Sequence, residues 1–172
     1  MKKNYSFLSK FLHHLVLGNN ILPEFLFDIE KMIFLKSEYQ ECKNDTHFFL
    51  SGLPRSGTTI ITETLFKTGH FGSLTYGDMP FILCPNLWFN LKNKFQKNTF
   101  YNRPHTDNLK ISLNSIDSFE EFFWKIKTKN SYIKNNLHNI NLNNNIMNEY
   151  LKFLYLILKF KNKKYYLSKN NN

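Results

Sequence analysis

"HFFLSGLPRSGTTIITETLF", residues 47–66, decides how this chain is read. A short apolar run ends at Ser51 and Gly52, and a stretch with helical content opens after Gly57. Strand, turn and helix in that order place Gly52 and Gly57 at the G-x-x-x-x-G spacing of a triphosphate-binding loop. The arrangement has a physical purpose. The glycines let the backbone turn with its N–H groups pointing inward, and the start of the helix adds positive potential. Ser56, Thr58 and Thr59 bring hydroxyl donors to the same spot, so a phosphate fits there. Thr58, however, stands where a triphosphate loop carries the Lys that reaches the β- and γ-phosphates, and Arg55 stands inside the loop instead. The loop can grip one phosphate, but magnesium triphosphate is the wrong guest.

Outward from the loop, the pattern predicts an α/β protein. Phe7, Leu8, Phe11, Leu12 and Leu15 recur at helical spacing over residues 5–17, and Gly18-Asn19-Asn20 is a natural stop. A second helix is expected from about Pro23, with Phe25, Leu26, Ile29, Met32 and Ile33 as its apolar face. "HFFLSG" reads as a buried strand, and "SGTTIITETLFKTG" as a helix closed by Gly69. Residues 69–90 read as a structured loop with short helical pieces. "IDSFEEFFWKI" reads as a helix capped by Asp117 or Ser118, with Glu120 and Glu121 at its positive end. "NEYLKFLYLILKF" is a further helix, and "KKYYLSK" a second strand parallel to the first. Two parallel strands are too few to bury both faces of a sheet. The expected fold is therefore incomplete.

Composition narrows the classes. The net charge of +10 suggests nucleic acid until it is located: residues 129–172 hold eight Lys and one Glu, which is +7 of the total. The chain has 24 Asn and only two Arg, Arg55 and Arg103. Specific nucleic-acid binders add Arg forks for phosphates and bases, so no such partner is expected. Cys42 and Cys84 lack metal or redox spacing and read as free thiols of a reducing compartment, and no metal site is expected. The basic, apolar start is broken by His13 and His14 and has no small-residue cleavage site, and "YLKFLYLILKF" is short and carries two Lys. A cytoplasmic protein without a transmembrane segment is expected.

The residues "GLPRSGTT" resemble the 5′-phosphosulfate loop of the PAPS-dependent sulfotransferases, where Lys or Arg precedes S-G-T-T, and the bacterial sulfotransferase-family group in particular. "FGSLTYGDMPFILCPNLW" (71–88) is similar to that group's segment after the loop helix. "RPHTDNLKISLNSIDSFEEFFW" (103–124) is similar to its His-Asp stretch, and the final "YYLSKNNN" to its next core strand. Gly77 departs from the pattern, which carries a charged residue before the position of Asp78.

The resemblance implies a P-loop NTPase-like three-layer sandwich with a parallel sheet, and sulfuryl transfer from PAPS to an acceptor hydroxyl or amine on a small molecule or glycan. It implies that Pro54, Arg55, Ser56, Gly57, Thr58 and Thr59 hold the donor, with Arg55 also offsetting charge on the leaving bisphosphate. A neutral His suits the base. His105 is the catalytic candidate, because Pro104 stiffens its loop and Asp107 can orient its ring; His70 is the second choice, and His13, His14, His47 and His138 read as packing or surface residues. Lys169, at the end of the last strand, points toward the donor or is one more solvated Lys. The aromatic loop 71–81 reads as packing, with acceptor lining as the alternative.

The chain is expected to be one piece, 1–172: a helical lead-in (1–45), strand, phosphate loop and helix (46–69), then loop, helices and second core strand (70–172). It reads as the N-terminal part of a sulfotransferase domain. The family's 3′-phosphate grip has no counterpart, so the fragment alone is expected to be inactive and to pair with a missing C-terminal half. A non-catalytic phosphate-binding module is the alternative, and a nucleotide kinase or NTPase is disfavoured by the absent Lys.

Overall fold

The computed structural model describes residues 7–35, 47–53, 56–95, 101–102, 110–129 and 143–170. The elements run α1 (Phe7–Leu17), α2 (Ile21–Phe34), β1 (Phe48–Ser51), α3 (Thr58–Lys67), β2 (Phe71–Gly72), a 3₁₀ turn (Tyr76–Asp78), α4 (Pro85–Phe95), β3 (Tyr101–Asn102), β4 (Lys110–Ile111), α5 (Glu121–Lys127), α6 (Asn144–Lys161) and β5 (Tyr165–Asn170). β1, β5 and β2 form a parallel sheet in that order, and β3 and β4 a small antiparallel pair. The expected α/β class and the parallel pairing of "FFLS" with "YYLSKN" are both present.

β5 is the central strand, and its alternate side chains enter two clusters. Tyr166 joins the larger one, with Phe27 of α2, Phe123 and Ile126 of α5, and Phe153, Leu154, Leu156 and Ile157 of α6. Phe123 and Phe153 stack with ring centres 4.9 Å apart, and Phe27 meets Phe153 edge-on at 6.0 Å. Leu167 enters the other cluster with Phe71 and Ile116, against which Leu50 and, from α3, Leu65 and Phe66 are packed. Helices therefore lie on both faces of the sheet.

Local chemistry explains the ends. Asn143 caps α6 by accepting from the Ile146 N–H at 2.9 Å. Asn162 closes it at φ 51°, with the Lys163 N–H returning to the Leu158 carbonyl at 2.9 Å, a use of Asn's tolerance for left-handed backbone. Gly69, past the end of α3, has φ 78°.

Four expectations are corrected. α2 turns a different face inward: Pro23, Phe27 and Glu30 are buried, while Phe25, Met32 and Ile33 are exposed. Apolar residues surround most of α2, so tertiary partners, not periodicity, choose its inner side. Residues 69–90 hold the expected short helical pieces, the 3₁₀ turn and the start of α4, but α4 continues to Phe95 and Phe71–Gly72 form the strand β2. Asp117 and Ser118 do not cap α5 by side chain; it begins after Glu120, whose carboxylate accepts from the Trp124 indole (2.9 Å) and the Tyr150 hydroxyl (2.8 Å).

β1 is not a buried strand. It is a sheet edge among the described residues, with Phe48 43% and Phe49 53% exposed, and Leu53, Ile60 and Ile61 exposed beside or beyond it. β1 carries no charge or Pro to blunt that edge. The chain is expected to self-associate as its concentration rises, because an unprotected edge is a template for pairing. Phe49→Lys should shift it toward monomer in size-exclusion chromatography with light scattering; an unchanged distribution would mean that another surface drives association.

Candidate functional site

The loop between β1 and α3 lies at the carboxyl end of the parallel strands, where ligands of open α/β sheets bind. Gly57 starts α3 at φ 85°, a conformation that side chains strain, and a Cβ there would meet open space. Gly52 is in a tighter place. A Cβ on it would come within 2.8 Å of Ser56 Oγ and 2.9 Å of Thr58 Cγ2, so the loop folds back tightly over it. The Ser56 N–H closes the turn onto the Leu53 carbonyl at 3.1 Å. α3 begins with no side-chain cap and no acidic residue in its first turn, which leaves the positive end of the helix unopposed by its own sequence. Ser56 is exposed; Gly57, Thr58 and Thr59 are half-buried. The Thr58 carbonyl accepts from the Thr62 hydroxyl at 2.6 Å, which tightens the first turn. Pro54, Arg55 and His105 lie outside the described residues.

Lys169 does come to this end of the sheet. Its Cα pairs with Leu50, directly before Ser51 and Gly52. On β5 it shares the face of Leu167, the face that α3 covers. Leu167 meets Leu65 and Phe66 late in α3, so Lys169, about 6.6 Å nearer the strand's carboxyl end, lies toward that helix's first turns. It is not solvated: it is 6% exposed, and its ammonium pairs with Asp117 Oδ1 at 2.9 Å.

Asp117 was readable only as a cap, yet it organises the site. Its Oδ2 accepts from the Tyr76 hydroxyl at 2.9 Å and its Oδ1 from the Ser118 N–H at 3.0 Å. The Tyr76 N–H donates to the Ser115 carbonyl at 3.0 Å and the Gly77 N–H to the Leu113 carbonyl at 2.7 Å, so segment 112–117 is locked to segment 75–77. Burial pushes the Asp117 carboxyl up, but Lys169, by hydrogen bond and charge, then Tyr76 and Ser118, outweigh it and hold it below its ordinary value. Nothing local in the sequence announces this trio, because its members are 41 and 52 residues apart.

Gly77, the departure from the family pattern, has a structural cause. A Cβ would press on the Leu113 carbonyl at 3.1 Å, and the Gly77 carbonyl accepts from the Trp88 indole at 3.1 Å. Asp78 is buried, bonded to the Thr75 N–H and hydroxyl and paired with Lys161 at 2.8 Å. Phe71 and Leu74 of the aromatic loop are buried, so these two pack. A cleft of about 370 Å³ opens elsewhere, between Glu63, Phe66 and Lys67 of α3 and Ser112, Asn114, Ser115 and Ile116. It lies along the later turns of α3, away from the phosphate loop.

Of the histidines described, His14 and His70 are exposed, His13 is half-buried, and His47 meets Tyr166 edge-on at 6.1 Å. Cys84 is buried, and burial, then the Glu30 charge, push its thiol far up, which makes it inert as a nucleophile. Among the described residues no helix is long and apolar enough to cross a membrane. No family model matches the chain, and no curated protein or solved structure matches it either.

Proposed function

We propose that the chain is the donor-binding part of a PAPS-dependent sulfotransferase, built on a P-loop-like three-layer sandwich. The observation that carries this reading is the loop: a parallel strand, a tight turn over Gly52, a left-handed Gly57 and an uncapped helix bearing Ser and Thr but no Lys at position 58. The residues present fit a phosphate, since the first turn offers N–H and hydroxyl donors and no described residue lies within 4 Å of where a Gly57 Cβ would stand. Helices on both faces and Lys169 at the carboxyl end of the neighbouring strand support the same reading.

In this proposal Ser56, Thr58 and Thr59 hold the 5′-phosphosulfate through hydroxyls and backbone N–H groups. PAPS supplies the sulfuryl group. Arg55 offsets the charge that builds on the bridging oxygen of the departing bisphosphate, and no magnesium is needed to reach a γ-phosphate. His105 takes the acceptor's proton at a ring nitrogen, which leaves the hydroxyl or amine able to attack. In this proposal the protein works in the cytoplasm.

Ligand-induced thermal shift tests the reading. Adenosine 3′,5′-bisphosphate and PAPS at about a hundred times their dissociation constants add roughly 2.7 kcal/mol of stability. Magnesium ATP at equal concentration is expected to add much less. Equal shifts for PAPS and magnesium ATP would overturn the assignment.

A further inference from the structure

We propose that the end of the molecule where α3 and α6 finish is a contact surface for an anionic lipid membrane. The inference does not depend on which donor the phosphate loop holds. Parallel pairing of β2 with β5 sets Phe71 opposite Tyr165, so His70 and Lys164, which lead into the two strands, come to the same edge. Lys163 donates to the Gly69 carbonyl, which ties the turn after α6 to the end of α3, where Lys67 is exposed. Lys159 donates to the Phe34 carbonyl at 3.1 Å and brings in the last turn of α2, whose Met32 is 79% and Ile33 55% exposed. Phe89 of α4 is 46% exposed and meets Phe160 with ring centres 5.2 Å apart. The Lys161 ammonium lies 4.9 Å from the centre of that Phe160 ring.

The chemistry selects the partner. Little acid offsets these lysines among the described residues: Asp78 is buried and paired with Lys161, Asp28 is paired with Lys31, and Glu63 stands one turn before Lys67. Helix-end carbonyls account for Lys159 and Lys163, but not for the large apolar side chains exposed at the same end. An anionic bilayer meets both features, because its headgroups attract lysine and its acyl boundary takes Met, Ile and Phe. Nucleic acid would leave the aliphatic groups in water, and none of the described residues is an Arg able to fork a phosphate. A second copy of this surface would set like charges against each other. The contact is a peripheral one, with lysine stems and apolar tips at the headgroup boundary.

Co-sedimentation of the full 172-residue chain with vesicles tests this. Binding is expected to phosphatidylcholine vesicles that contain phosphatidylserine, not to phosphatidylcholine alone, and to fall as salt rises from about 0.1 M to about 0.5 M. Lys67→Gln combined with Lys164→Gln is expected to weaken it about tenfold or more, since each lysine near such a surface contributes roughly fivefold. Met32→Gln is expected to weaken it about threefold or more. All three side chains are exposed, so the fold, read by circular dichroism, is expected to be unchanged. Lys125→Gln combined with Lys129→Gln removes equal charge at the end of α5, where Lys127 pairs with Glu24, roughly 15 Å along α2 from Phe34. That control is expected to cost less than about twofold, because the distance exceeds the screening length. Equal binding to neutral vesicles, an equal loss in the control, or no vesicle binding at all overturns the proposal. Lysine-dependent binding to a DNA duplex without vesicle binding also overturns it, and makes nucleic acid the partner. Self-association lost in Met32→Gln without vesicle binding does the same for a second copy of the chain.

Discussion

Glu30→Ala is expected to remove about 3–5 kcal/mol of stability, a third or more of what a domain of this kind has. Glu30 is fully buried on α2, and it does the work of a helix cap from a distance. Its carboxylate accepts from the Asn86 N–H at 2.9 Å, the Leu87 N–H at 3.0 Å and the Asn86 side-chain amide, so it satisfies orphan donors in the first turn of α4. Removing it strands two half-buried N–H groups at up to about 1–3 kcal/mol each and opens a cavity. Burial pushes the Glu30 carboxyl up, and the hydrogen bonds from Asn86 and Leu87 pull it back only in part. Its folded value therefore lies above the ordinary 4.5. The sign follows: this group's contribution is fully present below pH 4.5 and declines as pH rises through the folded value. Urea unfolding at neutral pH checks the main effect, with a melting-temperature drop of roughly 10 °C. Glu30→Gln, which keeps one acceptor, should lose only about 1–2 kcal/mol. Equal losses for Ala and Gln would show that charge, not the acceptor geometry, holds α4.

That residue also marks where the sequence stops being legible. α3, α6 and β5 could be read because each is set by local signals: the glycines around the loop, the apolar run of 148–160, and a β-rich run between polar residues; the first turn of α6 from Asn144, capped by Asn143, was not read. α4 could not, because Pro85 looked like loop punctuation when it occupies the first turn of a helix, and its capping acid lies 56 residues away. The inner face of α2 was invisible for the same reason: Glu30 turns inward to meet α4 and carries Phe27 with it, while Met32 and Ile33 face out. At the site, the loop was legible from glycine spacing and hydroxyls. Asp117 and Tyr76 were not, since a single Asp before Ser118 looks like a cap whether or not a distant Lys claims it. The burial expected of β1 rested on its apolar composition, which an edge strand and a central strand share.

Arg55→Ala is expected to lower sulfuryl transfer by about 10²–10³-fold while donor binding weakens by no more than roughly tenfold. The asymmetry follows from where its charge is needed. In the proposed complex the first-turn N–H groups of α3, with Ser56, Thr58 and Thr59, would already grip the 5′-phosphosulfate in the ground state, so one cation more would add modestly to binding. In the proposed reaction the sulfuryl group would leave through a loose transition state with negative charge building on the bridging oxygen, and a guanidinium there would stabilise that state more than the ground state. No Lys at position 58 and no magnesium share the task, which concentrates it on Arg55. The measurement is single-turnover transfer of labelled sulfate from PAPS, set beside calorimetric PAPS affinity, in a chain completed with a segment that grips the 3′-phosphate. Arg55→Lys should recover part of the rate, because it restores the charge without the planar fork. A variant that loses affinity and rate in equal proportion would place Arg55 in uniform donor binding, and the charge that meets the transition state would then have to come from Lys169, at the end of the neighbouring strand.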